Sequence, residues 1–579
     1  MNRKLLGLAV AALIAAPPAG FAKDASTRDL CPRVRFIGKQ VKLSEVEKKL
    51  VCGDPGTDSW KKISMPQARG FLTAFLQHRG YHFPTFEAQE ETLVVDIGTT
   101  TIVSKLTGSG MEGIYNIGKR RKVVGQLLTP ELLDTVKKAI MFEMQARGYA
   151  CPAVSVTADA RTGVVQVDVD PNEFYRLGPI PPPVAEKVDS AIFQRYESFQ
   201  SSAAFDNRLL SLTSDRIKED SLFASAYYDV NCTTGGLSIT QRVVEAPSHL
   251  VTVGVGADTE GLIEGRLRIQ QARIGRRAST AEATLFASQR EQSLEAFMHA
   301  YVRSDERLYL MPEVFIRRED EIQYGAAHSE ASLSPVWTHD GTDFRIETGG
   351  GPALDFFDTT RGIGPQHSTW FQFVTHAKIQ THLYEYYQRD PRRGWTATLE
   401  TAHRIAGADS NISAHYLRAS GESLWNLGNF EPPQAVLATR GYMGTTVVND
   451  PANAFTKLPP TQRFFLGGDA DLRGVDRKQL PNGGTGFLTA LYEGVELRAG
   501  DVIPYGIAPF LFLDAAMGGL RDFHVDPDVY YSPGLGVRWA SPFGTIRTTL
   551  GRGLTWRRGS PTDPPLPHWQ FFFSFGKEF

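Results

Sequence analysis

The 579-residue sequence lacks long apolar stretches, an excess of charge of one sign and a dense set of cysteines. After the N-terminus, no segment approaches the roughly 18 consecutive apolar residues that a transmembrane helix needs. The formal net charge of -2 provides no basic field for phosphates, so no nucleic-acid partner is expected. Catalytic signatures such as G-x-S-x-G, H-E-x-x-H and the P-loop are also missing, which argues against an enzyme. If the chain resides in a membrane, it must lie on the surface or cross as a β-barrel.

The first residues have the pattern of a secretory signal peptide. Two basic residues, Arg3 and Lys4, precede an apolar run at residues 5–16 and small residues up to Ala22. The run is too short for a helix that spans a bilayer. We therefore expect residues 1–22 to be a signal peptide that is cleaved after Ala22, with an uncleaved anchor as the alternative.

Four cysteines lie in the first half of the chain, and none has the spacing of a CxxC pair or of a metal site with histidine. Export would place them in an oxidising compartment, where disulfides persist. Cys31 and Cys52 are close enough in sequence to close one short loop, which leaves Cys151 with Cys232. The alternative is that some of the four are small buried thiols.

Two stretches of the N-terminal region repeat one pattern. FLQHRGYHFPTFE at 75–87 and EMQARGYACPAVS at 143–155 both end a helical pattern with R-G-Y and then begin a strand. Gly80 and Gly148 fall just past each helix, where a left-handed C-cap favours glycine. With a weaker third copy at about 174–246, the pattern predicts three tandem α/β domains, at 23–98, 99–172 and 173–248.

Residues 249–579 have a different texture, with short alternating segments divided by Gly, Pro, Asp and Asn. In LVTVGVGAD, Val251, Val253 and Val255 share one face, and small or polar residues share the other. Apolar residues facing lipid and polar residues facing a lumen are typical of a transmembrane β-barrel. The region has room for about 12 to 18 spanning strands.

The end of the sequence is an alternating aromatic strand. In HWQFFFSFGKEF, one face carries Trp569, Phe571, Phe573, Phe575 and Phe579. Such a strand on a soluble protein would be an aggregation hazard, so it indicates the last strand of a barrel.

Residues 463–481, RFFLGGDADLRGVDRKQLP, form a polar, glycine-rich loop between predicted strands. Gly467, Gly468 and Gly474 flank Arg473, the arginine at the centre of the loop. A calcium loop is not expected, because Arg473 and Leu480 occupy positions that need oxygen ligands. Neither a metal nor a cofactor is predicted.

Several motifs together resemble one family of outer-membrane proteins. The R-G-Y repeats are similar to POTRA domains. FFLGGDADLRG at 464–474 resembles the sixth-loop motif of the superfamily that includes BamA, TamA and the two-partner secretion transporters, and YYSPGLGVRWASPFGTIRTTLG at 530–551 resembles its penultimate strand pair. FSFGKEF resembles the C-terminal β-signal of Gram-negative outer-membrane proteins, with Phe575, Gly576 and Phe579 as its residues.

The resemblance implies an α+β region of three periplasmic POTRA domains, followed by an antiparallel barrel of sixteen strands in the outer membrane. In this family the loop folds into the barrel, and its arginine meets acids on inner strand faces. Arg473 matches that arginine, and the candidate acids are Glu496 and Asp514. Val475 stands where the family usually has an aromatic residue.

The function that the resemblance implies is that of a TamA-like assembly factor. It would insert β-barrel or autotransporter clients by strand augmentation at a lateral seam between the first and last strands. The implied partners are unfolded outer-membrane clients, a TamB-like protein that spans the periplasm from the inner membrane, and outer-membrane lipid. The alternatives are a two-partner secretion transporter, which usually has two POTRA domains and a plug helix, and a plain outer-membrane channel.

Overall fold

The computed structural model describes residues 27–54, 56–110, 123–233, 236–406, 412–500, 503, 506–541, 544–557, 560–562 and 569–575. The chain divides into two compact units, Met1–Met141 with Val154–Asp170 and Phe142–Ala153 with Pro171–Phe579. The predicted signal peptide lies outside the described residues. Within the described ranges, no helix combines the length and apolarity needed to cross a membrane.

The first unit begins with a small α/β group. Its sheet has the order β1-β2-β4-β3 and consists of β1 (Thr27–Cys31), β2 (Val34–Ile37), β3 (Thr85–Gln89) and β4 (Thr92–Asp96). Two helices, α1 (Glu45–Cys52) and α2 (Met65–Gln77), begin at the capping boxes of Ser44 and Ser64, and a 3-10 helix (Asp58–Lys62) lies between them. Apolar residues of both helices and of the sheet form one core. The Cys31–Cys52 disulfide joins β1 to α1.

A second group in this unit has a three-stranded sheet of order β5-β7-β6. Its strands are β5 (Lys105–Ser109), β6 (Ala153–Asp159) and β7 (Val164–Asp170), and helix α3 (Pro130–Gln145) precedes β6. In the apolar segment TIVSKL at 101–106, the strand begins only at Lys105. Upstream of it, Ile102 makes an isolated bridge with Leu127.

Both R-G-Y segments form the helix ends that the repeat predicts. Gly80 and Gly148 have φ angles of 83° and 105°. The N–H groups of Tyr81 and Tyr149 donate to the carbonyl five residues earlier, at 2.9 and 3.2 Å. This bond is that of a Schellman motif, so each glycine ends its helix and turns the chain into the next segment.

A third α/β group belongs to the second unit. It contains a 3-10 helix (Ser190–Tyr196), helix α4 (Asn207–Glu219) and an antiparallel pair, β8 (Phe223–Thr233) and β9 (Gly236–Glu245). The Cys151–Cys232 disulfide ties β8 to the segment after α3. Among its described residues this sheet has two strands, whereas the POTRA resemblance implies three. The segment GPIPPPV at 178–184 explains the difference, because prolines lack the N–H that a sheet ladder needs.

The remainder of the chain forms a closed antiparallel barrel. Its described strands are β10 (His249–Asp258), β11 (Leu262–Ile274), β12 (Ser279–Ala287), β13 (Glu291–Tyr301), β14 (Leu308–Asp320), β15 (Gly325–Asp340), β16 (Phe344–Arg361), β17 (His367–Thr381), β18 (Gly394–Ala406), β19 (Ala414–Asn426), β20 (Ala435–Val448), β21 (Thr489–Ala499), β22 (Ile507–Gly519), β23 (Val529–Ser541), β24 (Gly544–Gly551), β25 (Leu554–Arg557), β26 (Ser560–Thr562) and β27 (Gln570–Phe575). β24 and β25 both pair with β23, so they share one position in the wall. β27 pairs with β24 and β26 pairs with β25, so these two strands also share one position. The described wall therefore has sixteen strand positions, as expected.

Short helices occupy three of the connections between barrel strands. These are α5 (His382–Tyr386), the 3-10 helices Leu427–Asn429, Pro451–Asn453 and Pro460–Gln462, and α6 (Ala454–Lys457). The connection between β20 and β21 contains α6 and is the one that carries the predicted loop.

Alternation along the strands separates the two faces of the wall, as predicted. Val251, Val253 and Val255 on β10 are between 60% and 76% exposed. On β22, Leu511 and Leu513 are exposed, while Phe512 between them is buried in the interior. The exposed apolar residues form the surface that faces lipid.

The barrel has two mouths, which we name by their distance from the third α/β group. The proximal mouth is the end where β10 begins, and the distal mouth is the end where β20 leads into β21. Ala272 and Ala278 at the proximal mouth belong to the same apolar core as the third group. In α4, Arg216 donates hydrogen bonds of 2.8 Å from Nε and Nη2 to Glu385 of α5, and it also pairs with Asp340 at 2.8 Å. The third group is therefore fixed to this mouth by a buried ion pair as well as by apolar contact.

Candidate functional site

Residues 463–481, which we call the lumen loop, turn back from the distal mouth into the barrel. Leu466, Leu472 and Val475 of the loop are buried in one apolar cluster. Tyr492 and Ala516 from the inner faces of β21 and β22 belong to the same cluster. The loop is therefore packed against the inside of the wall.

Arg473 lies at the centre of the contacts between the lumen loop and the wall, and its side chain is fully buried. Its Nε and Nη2 donate to Oδ2 and Oδ1 of Asp514, at 2.8 and 2.6 Å. Its Nη1 donates to Glu496, and its backbone N–H donates to Asp514 Oδ2 at 3.1 Å. The structure thus brings together the loop arginine and both acids named from the sequence, in the two-pronged geometry that a guanidinium favours.

The aromatic partner of Arg473 comes from the wall. The guanidinium carbon lies 3.7 Å from the ring centroid of Phe512 on β22, which is a cation–π contact. Val475, at the position where the family usually has an aromatic residue, is packed in the apolar cluster instead. No pattern in the sequence singles out Phe512, because the stacking residue that the family usually has belongs to the loop.

Glycines let the loop backbone pass close to the wall and turn sharply. A Cβ on Gly474 would lie 2.2 Å from the backbone nitrogen of Gly553, so a side chain cannot be placed there without a shift. Gly467 and Gly468 have φ angles of 116° and 117°. Such angles strain any residue with a side chain, so these positions favour glycine for the turn itself.

Further charged residues that sequence reasoning missed surround the arginine. Glu496 also accepts hydrogen bonds from Arg547 on β24 and Arg498 on β21, each at 2.8 Å. Tyr492 donates to Asp514 at 3.3 Å and accepts from Arg440 on β20 at 3.1 Å. One signal was available in the sequence: Arg498 lies two residues after Glu496, so both face the lumen.

The next residues of the lumen loop contact the opposite wall. Arg477 donates to Glu321 at 2.9 Å and to Glu291 at 3.1 Å, while Lys478 donates to Glu319 at 3.1 Å. These acids lie on β13, on β14 and just after β14, about half the circumference away from β21 and β22. The loop therefore bridges the interior from one side of the wall to the other.

A buried ion cluster of this kind determines geometry more than it adds net stability. Desolvation of the charges offsets much of their attraction, but removal of one partner leaves a buried charge and costs about 3–5 kcal/mol. The lumen loop is thus held in one register, and the strands that it contacts are held at a fixed separation.

The barrel closes between its first and last strands, and we call this contact the seam. Among the described residues, β10 pairs with β27 at Ala257–Phe575 and Asp258–Ser574. The N–H of Thr259 also donates to the Phe573 carbonyl at 3.0 Å. Two of the predicted β-signal residues, Gly576 and Phe579, lie outside the described residues, whereas Phe575 lies in the seam itself.

The lumen loop, the acid partners of Arg473 and β27 all fall within residues 385–579. This segment matches the family model described as the Omp85 superfamily domain. This C-terminal part of the barrel carries the Omp85 superfamily domain. An Omp85 barrel of sixteen strands is an outer-membrane barrel, and N-terminal α/β groups in the periplasm are consistent with it. No curated protein matches the sequence.

Solved structures with a similar fold include two kinds of outer-membrane protein. BamA from Haemophilus ducreyi lacking POTRA domains 1–3 is 15% identical, with a TM-score of 0.49, 82% of this chain and 99% of that chain covered. CdiB from Acinetobacter baumannii is 12% identical, with a TM-score of 0.44, and the match covers 82% of this chain and 89% of that chain. CdiB from Escherichia coli is 13% identical, with a TM-score of 0.43, and the match covers 93% of this chain and 99% of that chain. Structural similarity at this level does not distinguish the function of BamA from that of CdiB.

Proposed function

We propose that this Omp85 protein is a TamA-like assembly factor that inserts β-barrel or autotransporter clients into the outer membrane by strand augmentation at the seam. The observation that carries the proposal is the exposure of β10, the strand that closes the barrel against β27. On its other side, β10 pairs with β11 along its whole length, from His249–Gln271 to Asp258–Leu262. No covalent chemistry is required for this role.

The exposed edge of β10 is suited to receive a strand. Residues 249–255 of β10 are exposed on both faces of the strand. Backbone groups at such an edge form hydrogen bonds with any added strand, so binding depends weakly on client sequence. In a bilayer the gain is larger, because water is not available to satisfy those groups.

The lumen loop supports this role by holding the rest of the wall. Strand β27 is attached through β24, next to the strands that contact Arg473. Arg477 and Lys478 connect the same loop to β13, β14 and the residue after β14. We infer that the seam opens while the loop keeps the remaining strands in place, so Arg473 acts as a positioning residue.

The N-terminal groups offer additional sheet edges. In the sheet orders β1-β2-β4-β3 and β5-β7-β6, the outer strands each have one side without a neighbouring strand among the described residues. We propose that these edges bind unfolded clients and a TamB-like protein of the inner membrane, since both kinds of partner can add a strand.

The experiment that tests the proposal locks the seam. In the double variant Ala257→Cys/Phe575→Cys, the two cysteines occupy partner positions of β10 and β27. Oxidation should stop client assembly in cells, and reduction should restore it. The matched control, Leu511→Cys/Leu535→Cys, places a cysteine pair at partner positions of β22 and β23, away from the seam. This pair should leave assembly unchanged in both states. Full client assembly with an oxidised seam would contradict the proposal.

Export of a client through the lumen is the second candidate. One observation favours it, a polar cavity of about 300 Å³ at the proximal mouth, lined in part by Arg345, Glu347, Lys378, Gln380 and Glu385. Export would require the lumen loop to move but would not require the seam to open. A locked seam that still exports a client would therefore favour this candidate.

A further inference from the structure

A second group of polar residues lies on the inner wall, separate from the lumen loop. His328 and Glu330 share the inner face of β15, and Asp355 lies on the inner face of β16. Glu330 and Asp355 are direct partners in the register of these two strands. Asp355 is fully buried, and the other two side chains are 14% and 21% exposed. One nitrogen and two carboxylate oxygens of these residues lie within 4.8 Å of one another.

Two carboxylates of this group face each other on neighbouring strands, and one arginine contacts them. Like charges directly opposite each other on neighbouring strands destabilise a sheet. Arg404 on β18 donates from Nε to Asp355 Oδ2 at 3.4 Å, so it contacts the oxygen that faces away from His328. Asp355 Oδ1 and the Glu330 carboxylate both remain near the imidazole, which is where an additional positive charge would be stabilised.

A buried amide provides an independent indication of a ligand. Gln372 on β17 is fully buried, and its Nε2 donates to Glu330 Oε2 at 3.1 Å. Its Oε1 belongs to the same carboxamide and has no hydrogen-bond donor among the described residues. A buried acceptor without a donor costs free energy, and an amide oxygen is a suitable ligand for a cation.

The neighbouring side chains orient the donor atoms. The ring of His328 stacks on Phe357, with centroids 4.3 Å apart and an interplanar angle of 10°. Arg404 orients Asp355, and Gln372 orients Glu330. Metal sites typically show such outer contacts, because they fix the direction of each ligand.

The spacing of the donor atoms fits a metal ion. His328 Nε2 lies 3.4 Å from Asp355 Oδ1 and 3.9 Å from Glu330 Oε2. Ligand atoms around a tetrahedral zinc lie about 3.3 Å apart, since each bond is about 2.0 Å long. We propose that His328, Glu330 and Asp355 bind one divalent transition-metal ion, with the carboxamide oxygen of Gln372 as the fourth ligand. One imidazole with carboxylate oxygens suits Zn²⁺ and Mn²⁺.

Such an ion would cross-link the wall on the side away from the seam. Its ligands come from three consecutive strands, β15, β16 and β17. The ion would therefore reinforce the strands that are already the longest in the barrel, and it would take no part in client chemistry.

The test uses the full chain, purified without a histidine tag, folded in detergent and freed of metal with a chelator. Titration calorimetry with Zn²⁺ should show one ion per chain, and Co²⁺ should give the visible absorption of a four-coordinate site. His328→Gln and Glu330→Gln should each weaken Zn²⁺ binding at least about 100-fold, and Gln372→Leu should weaken it about 10- to 100-fold. Heat-modifiable migration on gels identifies the variants that have folded.

The matched control is Glu313→Gln, which removes an inner-face carboxylate of β14 outside the proposed ligand set. This variant should retain one Zn²⁺ per chain with unchanged affinity. The proposal is overturned if the wild-type chain binds no stoichiometric Zn²⁺. It is also overturned if folded His328→Gln and Glu330→Gln bind Zn²⁺ as the wild type does, or if Glu313→Gln loses binding to the same extent as they do.

Discussion

Strands β15 and β16 and strands β10 and β27 are both neighbouring pairs in one barrel wall, yet their pairing differs greatly. β15 and β16 are 16 and 18 residues long, and they pair from Gly325–Arg361 to Asp340–Arg345. β10 and β27 are 10 and 6 residues long in the described chain and pair at two positions. Residues 249–255 of β10 are exposed on both faces of the strand, whereas inner-face residues of β15 and β16 such as Ser334 and Asp355 are buried.

This difference shows how a membrane barrel can open without unfolding. Each backbone group left unpaired in lipid is costly, so strands with long ladders stay closed. A client strand at the edge of β10 would replace the backbone hydrogen bonds that are lost when the seam opens. The ion cluster of Arg473 fixes β21 and β22, which belong to the closed side of the wall, and the same loop also reaches the turn after β10, where the N–H of Asp469 donates to Glu260 at 3.1 Å.

The largest expected effect comes from loosening the closed side. Arg473→Ala should lower the free energy of unfolding of the barrel by about 3–5 kcal/mol, because Asp514 would stay buried without its guanidinium partner. Urea unfolding of the folded barrel in detergent measures this value. Client assembly in cells with matched barrel levels should fall as well, since the wall opposite the seam would lose its fixed geometry.

Two matched variants make this prediction specific. Arg473→Lys should be intermediate, because an ammonium cannot reproduce the two-pronged contact with Asp514. Arg477→Ala should cost less, since the Arg477 side chain is 21% exposed and water can replace part of its contacts. Wild-type stability and assembly in Arg473→Ala would mean that the loop arginine does not position the wall.

A smaller effect is expected from a charge on the lipid-facing surface of the closed side. Leu511→Lys on β22 should destabilise the barrel by about 2–4 kcal/mol if the residue lies near the middle of the bilayer. Leu520→Lys, just past the end of the same strand, should change stability little. Refolding into lipid vesicles over a urea series measures both variants. Equal stabilities of the two variants would contradict the assignment of the lipid-facing band.

The contact between the third α/β group and the barrel should weaken at low pH. Burial by itself raises the pKa of Glu385, but hydrogen bonds and charge from Arg216, together with the charge of Arg345, lower it to about 2. Since this value lies below the usual 4.5, the stabilisation is present above pH 4.5 and is lost as the pH falls toward 2. The protection of the α4 amides against hydrogen exchange, relative to an unfolded chain at the same pH, should therefore fall across this range.

The variant Glu385→Gln separates this ion pair from other acid effects. It should weaken the attachment at neutral pH and flatten the pH dependence of exchange in α4, because the titrating carboxylate is gone. An unchanged pH dependence in Glu385→Gln would assign the acid sensitivity to other groups.

Local pattern was sufficient to predict much of the barrel. The alternation of Val251, Val253 and Val255 predicts a lipid-facing strand, because facing direction depends on neighbouring residues alone. The strand number came from the family resemblance and not from the pattern. Arg473, Glu496 and Asp514 were named together because the family resemblance implies that the loop arginine meets acids on inner strand faces.

Features that depend on register could not be read from the sequence. Phe512 meets Arg473, and Asp355 meets Glu330, only after strands distant in sequence have been aligned. The third α/β group was predicted as a weaker copy of the repeat, and its described sheet has two strands, since its proline-rich segment lacks the N–H groups of a further ladder. In each case the missing information was long-range pairing, which residue periodicity does not contain.

The central claim is that the seam is the part of the wall that opens, and amide hydrogen exchange tests it most directly. The protein would be folded in lipid nanodiscs, and exchange would be compared between residues 249–256 of β10 and the amides of β16. The account predicts that the β10 amides exchange much faster than those of β16, and that the oxidised Ala257→Cys/Phe575→Cys lock slows them. Equal protection of β10 and β16 in the unlocked protein would contradict it.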